Sequence, residues 1–249
     1  MTVRTPADFI EADNNLAAML DSLTGADNYL DFIVELMQPH LQGPILEVGA
    51  GLGDLTGRLA ADREVVATDV SNRCLDSLRS QFGDSSNILV DRYDAIVGDP
   101  APAMPDEGFG SVVMSNVLEH LPDDRAVLRN LGQNLRPGGT VVVFVPAFEL
   151  LYGRFDEMIG HHRRYRRRTL EEAFTGAGLE PQLVRYVNLP GWFAWLLTVR
   201  LLGQIPTGQG LVRTYDRLVI PPLRAIETRI SPPFGQSVLG VATVGSATS

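Results

Sequence analysis

Apolar residues in this chain gather in short runs, at 45–49, 64–69, 87–91, 110–115, 140–146, 181–188 and 237–245, most of them free of a regular polar alternation. Each run has the length of a buried strand. Between them the apolar spacing changes to three and four, as in Cys74, Leu75 and Leu78, or Ala126, Leu128 and Leu131, which is the period of a helix packed on one face. Strands without polar alternation are covered on both sides, and alternating strand and helix predicts an α/β fold with a parallel sheet. Residues 6–40 read as helical, with Tyr29, Phe32, Ile33, Leu36 and Met37 on the apolar face, and Gly43-Pro44 ends that segment. The Pro-rich stretch 98–106 reads as a loop and 136–139 as a turn. Thr169 is expected to cap a helix that carries Glu171 and Glu172 in its first turn. No internal repeat or low-complexity tract interrupts the pattern.

The first run ends in Gly49, Gly51 and Gly53, which predicts a strand turning sharply into a helix. The second run carries Asp69 near its end. A carboxylate about 16–20 residues beyond a glycine-rich loop is placed to accept hydrogen bonds from both hydroxyls of a ribose. The spacing is G-x-G-x-G followed by Asp54, not the G-x-G-x-x-G of dinucleotide sites. An acid at the mouth of the helix suits a ligand with an ammonium group and no phosphate there. At Glu47, Gly49, Gly51 and Gly53 the chain resembles the class I S-adenosylmethionine-dependent methyltransferases, whose first motif is E-x-G-x-G-x-G.

Later landmarks follow in that family's order. Asp94-Ala95 matches the adenine-contacting position, although Arg92-Tyr93 precedes it where a glycine is commoner. Residues 116–121 (NVLEHL) match the loop after strand four, and 135–139 (LRPGG) the turn before strand five. The resemblance covers roughly 45–188 and implies a Rossmann-like seven-stranded sheet, mostly parallel with an antiparallel last strand. It implies S-adenosylmethionine as cofactor, with S-adenosylhomocysteine as product. The cofactor would be held by Glu47, Gly49, Ala50, Gly51, Gly53, Asp69, Val70, Asp94, Ala95 and Asn116. Residues 146–168 look like a bacterial subset with an F-D-x-x-x-G-H-x-R-R-Y segment, mostly small-molecule, glycan-linked or natural-product enzymes. Here that pattern falls on Phe155, Asp156, Gly160, His161, Arg163 or Arg164, and Tyr165.

Length and charge narrow the picture. A chain of 249 residues fits one domain with a sizeable core. The net charge of −9 argues against nucleic acid as partner. No lysine is present, which excludes a catalytic lysine. A single cysteine, Cys74, excludes an internal disulfide and a cysteine-based metal cluster, and no metal-binding set is expected. The first fifteen residues lack an apolar signal core, and no stretch of about 18 uninterrupted apolar residues occurs, so a cytoplasmic protein is expected.

A sulfonium releases its methyl group with a neutral thioether leaving, so no acid is required and positioning carries most of the rate. A hydroxyl or amine acceptor needs a base, a carboxylate does not. Of the four histidines, His40 lies at the wrong rim. His120 lies at the correct rim, as base or as part of the cofactor pocket. His161, also there, is the base or acceptor-orienting group, or else pairs with Asp156 or Glu157 to pin its loop. His162 could substitute for it. Arg163, Arg164, Arg166, Arg167 and Arg168 form a cationic cluster. It reads as a solvated face paired with acids, as a clamp for an anionic acceptor with Arg164 and Tyr165 its preferred pair, or as a membrane-facing patch.

The resemblance also singles out 189–236, where the family usually has a short hairpin. Two amphipathic helices are predicted there, the first with Trp192, Phe193, Trp195, Leu196 and Leu197. Strand six is expected to run parallel to its neighbours, so the insertion leaves from the ligand-binding rim. It can serve as a cap, a dimer interface or a membrane contact. Trp192, Phe193 and Trp195 cannot share one helical face, so at least one is expected toward an acceptor or a second subunit, with Trp192 and Trp195 as candidate acceptor contacts. The chain thus reads as a methyltransferase, 1–249, with an N-terminal helical segment 1–43 and a cap 189–236. It is expected to methylate a small, largely apolar and possibly anionic acceptor at oxygen. The alternatives are a cyclase that binds S-adenosylmethionine without methyl transfer, and a membrane-associated modifier of a lipid-linked substrate.

Overall fold

Seven strands form one sheet in the order β3-β2-β1-β4-β5-β7-β6: β1 Ile45–Val48, β2 Val65–Asp69, β3 Ile88–Arg92, β4 Phe109–Ser115, β5 Leu135–Pro146, β6 Glu180–Val187 and β7 Ser237–Thr243. The structure is a computed structural model and describes residues 25–203 and 209–245. The first five strands pair in parallel, and β7 runs antiparallel between β5 and β6. Alternate residues of the central strands feed two cores. Leu46, Val112, Met114, Val141 and Val143 face one side, and Ile45, Val65, Ala67, Val113 and Val142 the other. Each of these side chains other than Ala67 contributes about 1.5–3 kcal/mol by leaving water.

Helices cover both faces. Phe32, Ile33 and Met37 of α1 (Asp27–Met37), Leu59 of α2 (Thr56–Leu59) and Leu78 of α3 (Asn72–Phe82) close one core. Leu128 and Leu131 of α4 (Asp124–Gly132), with Leu170 and Phe174 of α6 (Arg167–Gly176), close the other. Between β5 and α6 lies the short α5, Arg154–Met158.

Several expectations change. Of the predicted helix over 6–40, the structure shows α1, Asp27–Met37; residues 6–24 of it lie outside the described residues. The turn at 136–139 lies inside β5, where a register shift between Phe109 and Ser111 of β4 accommodates the extra residues as a bulge. Thr169 is not the cap of α6 but its third residue, and its hydroxyl accepts from the Arg166 amide at 2.9 Å. Strand β6 is not parallel to its neighbour. It is an edge strand paired only with antiparallel β7, but because β5 is also antiparallel to β7, β6 still ends at the same rim as the parallel strands.

The insertion holds three described helices where two were expected. The first, α7 (Leu189–Trp195), continues into a π-helical turn, Leu196–Leu201, and lies against α5 through Trp195 and Val199, which pack on Phe155 and Ile159. α8 (Gln209–Leu218) and α9 (Ile220–Glu227) pack on α1 instead. There the buried Asp216 carboxylate accepts from the backbone amides of Asn28 and Tyr29 at the start of α1. The first part of the insertion and, through Phe234, its last residues therefore meet beside the end of β6, while most of α8 and α9 lies against α1. Among the described residues no helix is long and apolar enough to cross a membrane.

Candidate cofactor and acceptor site

The glycine loop crosses from β1 to the end of β2. The amides of Gly49 and Ala50 both donate to the Thr68 carbonyl at 2.9 Å. Gly49 and Gly53 adopt positive φ, and a Cβ there would meet Val117 Cγ2 at 2.4 Å or Phe82 Cε2 at 2.7 Å. At these two positions the missing side chain makes room for the protein itself rather than for a ligand. Gly51, also at positive φ, donates its amide to Asp69 Oδ2 at 3.0 Å, and the Ser71 amide donates to Oδ1 at 2.8 Å. Each Asp69 oxygen keeps a further lone pair, which suits it to two hydroxyls of one ribose.

Exposed apolar side chains follow both carboxylates in the chain. Val70 beside Asp69 is 53% exposed, and Ile96, two residues after the exposed Asp94, is 54% exposed. Asp94 Oδ1 accepts from the Ile96 amide at 2.9 Å, while the carbonyl of the buried Ala95 is held by Asn130. Asn116 takes a left-handed turn at φ 52° off β4 and leaves its side chain exposed. Carboxylates for hydroxyls and an exocyclic amine, with exposed aliphatic side chains for a flat base, fit the nucleoside of S-adenosylmethionine.

Glu47 is buried beneath the loop, where Thr56 Oγ1 donates to its Oε2 at 2.7 Å. Burial pushes this carboxyl up to about 8 from 4.5. Folding therefore strengthens its hold on the proton. Its contribution to stability is full below about 4.5 and is lost as pH rises toward about 8. In Glu47→Gln this dependence should vanish. The melting temperature of the variant relative to native should climb between pH 4.5 and 8; a constant difference would refute the buried acid.

The rim beyond β4 and β5 carries the denser polar network. A 3-10 turn, Leu118–His120, drops Glu119 into the interior, and 147–166 folds back over it. That segment is pinned by an Ala147–Tyr165 bridge and by the His162 amide on the Glu119 carbonyl at 2.8 Å. Asp156, fully buried, accepts from Arg164 Nε at 2.8 Å and Nη2 at 3.1 Å, from the Gly153 amide at 3.0 Å, and pairs with His161 Nδ1 at 2.7 Å. Burial opposes ionisation of Asp156, but the bonds from His161 and Arg164 hold it below the ordinary range. A carboxylate at Nδ1 favours the Nδ1–H tautomer and leaves Nε2 as the lone-pair nitrogen. Nε2 lies 3.6 Å from Glu119 Oε1. Glu119 is 0% exposed, neither of its carboxylate oxygens has a hydrogen-bond partner, and burial raises it to about 8. The His120 ring meets that of His161 edge-on, with centroids 4.6 Å apart.

Two expected acceptor residues are spent inside the protein. Arg164 does not form an anion clamp. It is buried on Asp156, with its guanidinium 5.0 Å over the Trp195 ring. Tyr165 is buried as well; its hydroxyl donates to Asp124 at 3.0 Å, and burial followed by the Asp124 charge raises it above its ordinary value. Arg163 pairs with the same Asp124 and Arg168 with Glu172, as a solvated, acid-paired cluster would. Trp195 is a buttress rather than an acceptor wall: it donates to the Leu151 carbonyl at 3.3 Å and lies edge-on to Phe155.

Trp192 behaves differently. It centres an aromatic cluster with Phe148, Phe193 and Phe234, and its buried Nε1 has no partner. Phe148 stacks on Tyr186 and holds φ 61°, a sparsely allowed region for a bulky side chain. Sequence reasoning missed Phe148, Phe234 and the orphan carboxylate of Glu119. Glu119 stands in the NVLEHL motif, but its burial depends on the chain that returns over it.

Residues 46–141 match a family model described as a methyltransferase domain. An uncharacterized methyltransferase of Mycobacterium tuberculosis is 30% identical over 125 residues, covering 50% of this chain and 61% of that protein. The ubiquinone/menaquinone biosynthesis C-methyltransferase UbiE of Vibrio vulnificus is 28% identical over 124 residues, 47% of each. The chain thus spans about half the length of these curated relatives. The fold likeness is wider. A chain of the complex containing the Haloferax volcanii Trm112 methyltransferase activator superposes with a TM-score of 0.65 at 18% identity, over 96% of this chain and 98% of that one. The sequence match runs from β1 into β5, the part of the sheet that carries the glycine loop, Asp69 and Asp94, and over it the chain carries a methyltransferase domain similar to those of the class I S-adenosylmethionine-dependent enzymes.

Proposed function

We propose that the chain methylates a small, largely apolar acceptor at oxygen, with S-adenosylmethionine as donor. Asp69 would hold the ribose, Asp94 the adenine amino group, and Val70 and Ile96 the faces of the base. The cofactor supplies an electrophilic methyl group whose departure needs no acid. What the protein adds is a place for the acceptor. Phe148 and Trp192 offer an apolar wall with one unpaired N–H, as such pockets usually do. The exposed Arg166, its guanidinium 5.8 Å over the Phe148 ring, takes the anion-binding role expected of Arg164. The observation that carries the reading is the held imidazole of His161. Its Nδ1 is fixed by a buried carboxylate, and its Nε2 lies at the rim to which the glycine loop belongs. A hydroxyl needs such a group and a carboxylate acceptor does not. A carbon acceptor is the second reading, favoured by the likeness to a C-methyltransferase.

The cofactor assignment is tested by calorimetric titration with S-adenosylhomocysteine. Asp69→Ala removes a charged acceptor from two hydroxyls, and each lost bond should cost about 1.5–3 kcal/mol. Unchanged affinity would sink the assignment. Turnover with ¹³C-methyl-labelled donor then separates the acceptors. An O-methyl signal supports the first reading, a C-methyl signal the second, and product without S-adenosylhomocysteine release points to cyclisation.

A further inference from the structure

The Glu119 carboxylate needs a partner that the protein does not supply. It is fully buried, both oxygens lack a hydrogen bond, and two imidazoles stand beside it. We propose that Glu119, His120 and His161 bind a divalent transition-metal cation. One ligand atom from each lies within 4.8 Å of the others. Atoms bound to one ion at about 2.1 Å can be at most about 4.2 Å apart, so a small rotation of the side chains closes the set. The pair already closest, Glu119 Oε1 and His161 Nε2 at 3.6 Å, lies within that limit. Two imidazoles on one tetrahedral ion have centroids about 5 Å apart, and those of His120 and His161 are 4.6 Å apart.

The surroundings fit as well. A metal-bound imidazole usually gives its other nitrogen to a carboxylate, which fixes ring and tautomer. Asp156 does this at His161 Nδ1, and Arg164 in turn holds Asp156. One carboxylate with two imidazoles suits zinc, iron, cobalt or manganese better than magnesium or calcium. Three protein ligands leave a coordination position for an oxygen. On the reading above, that oxygen belongs to the acceptor: the cation would lower its proton affinity so that solvent water takes the proton, and Nε2, then a ligand, would hold the cation instead of acting as the base.

The test uses the untagged full chain, stripped by chelator and titrated with Co²⁺ while visible absorbance is followed. One Co²⁺ per chain is expected, with the d–d bands of a low-coordinate site and a raised melting temperature. Glu119→Gln and His161→Ala should each weaken binding by about 100-fold, and Asp156→Asn by about 10–100-fold. His162→Ala, at the exposed neighbour, should bind as native does. A native chain that gives no d–d bands overturns the proposal, even if every variant misfolds. So does equal affinity in folded Glu119→Gln and His161→Ala. S-adenosylhomocysteine titration is independent of this outcome, so failure of the metal site leaves the cofactor assignment standing.

Discussion

Replacing His161 by alanine is expected to lower kcat by about 10²–10⁴-fold while the affinity for S-adenosylhomocysteine is unchanged. The split follows from where the residue sits. Its ring is held by Asp156 at one nitrogen and approaches Glu119 with the other, on a segment separate from Asp69 and Asp94, where the nucleoside is proposed to bind. Steady-state kinetics with an acceptor that supports turnover, alongside calorimetry, would measure both quantities. A variant with near-native kcat would mean that the acceptor arrives already anionic or reacts at a carbon that needs no base.

Arg164→Met is expected to destabilise the fold by about 3–5 kcal/mol, since it strands the Asp156 carboxylate in the interior. Arginine and aspartate are both almost wholly buried, and the guanidinium bonds in two places while lying over Trp195. Arg164→Lys should rescue little, because a point charge cannot reproduce the planar fork or the stacking. Urea denaturation measures the loss. Adding Asp156→Asn to Arg164→Met should recover part of it, as the stranded charge is removed. A loss below about 1 kcal/mol would put the pair with solvent-screened surface bridges and contradict its burial.

The sheet was legible because a strand buried on both faces has no polar alternation to confuse it. The runs ILEV, VVATD and VVVFVP mark β1, β2 and β5 without help from neighbours. The start of β5 was hidden because Gly138 and Gly139 resemble a turn, and only pairing with β4 shows a bulge. The glycine loop and Asp69 were legible for the same local reason. Arg164 was not: in a row of arginines nothing local distinguishes the one that turns inward. Yet its partners were near in sequence, since Asp156 and His161 lie within the same short segment. The aromatic cluster joins Phe148, Trp192 and Phe234 from three separate stretches, and only the folded chain brings these together.

The insertion is closed at its base. The Gln236 amide donates to the Asn188 carbonyl at 2.9 Å, and Asn188 Nδ2 donates to Gln236 Oε1 at 3.0 Å. Tyr215 of α8 reaches back to Asn188 Oδ1, and Glu227 of α9 accepts from the amides of Asn188 and Leu189. Everything between leaves and re-enters the sheet through one clasp, next to the Val187–Ser237 pair where the β6–β7 ladder begins. The consequence is one of heredity and of engineering. A lineage can vary the helices between Asn188 and Gln236 while the sheet register and the glycine loop pass on unaltered, provided that the surfaces of α1 and α5 on which they pack vary with them. A chimera made at this clasp is expected to keep the glycine loop and Asp69 of one parent and to take Trp192, Phe193 and Phe234 from the other, and turnover with each parent's acceptor measures what that exchange changes.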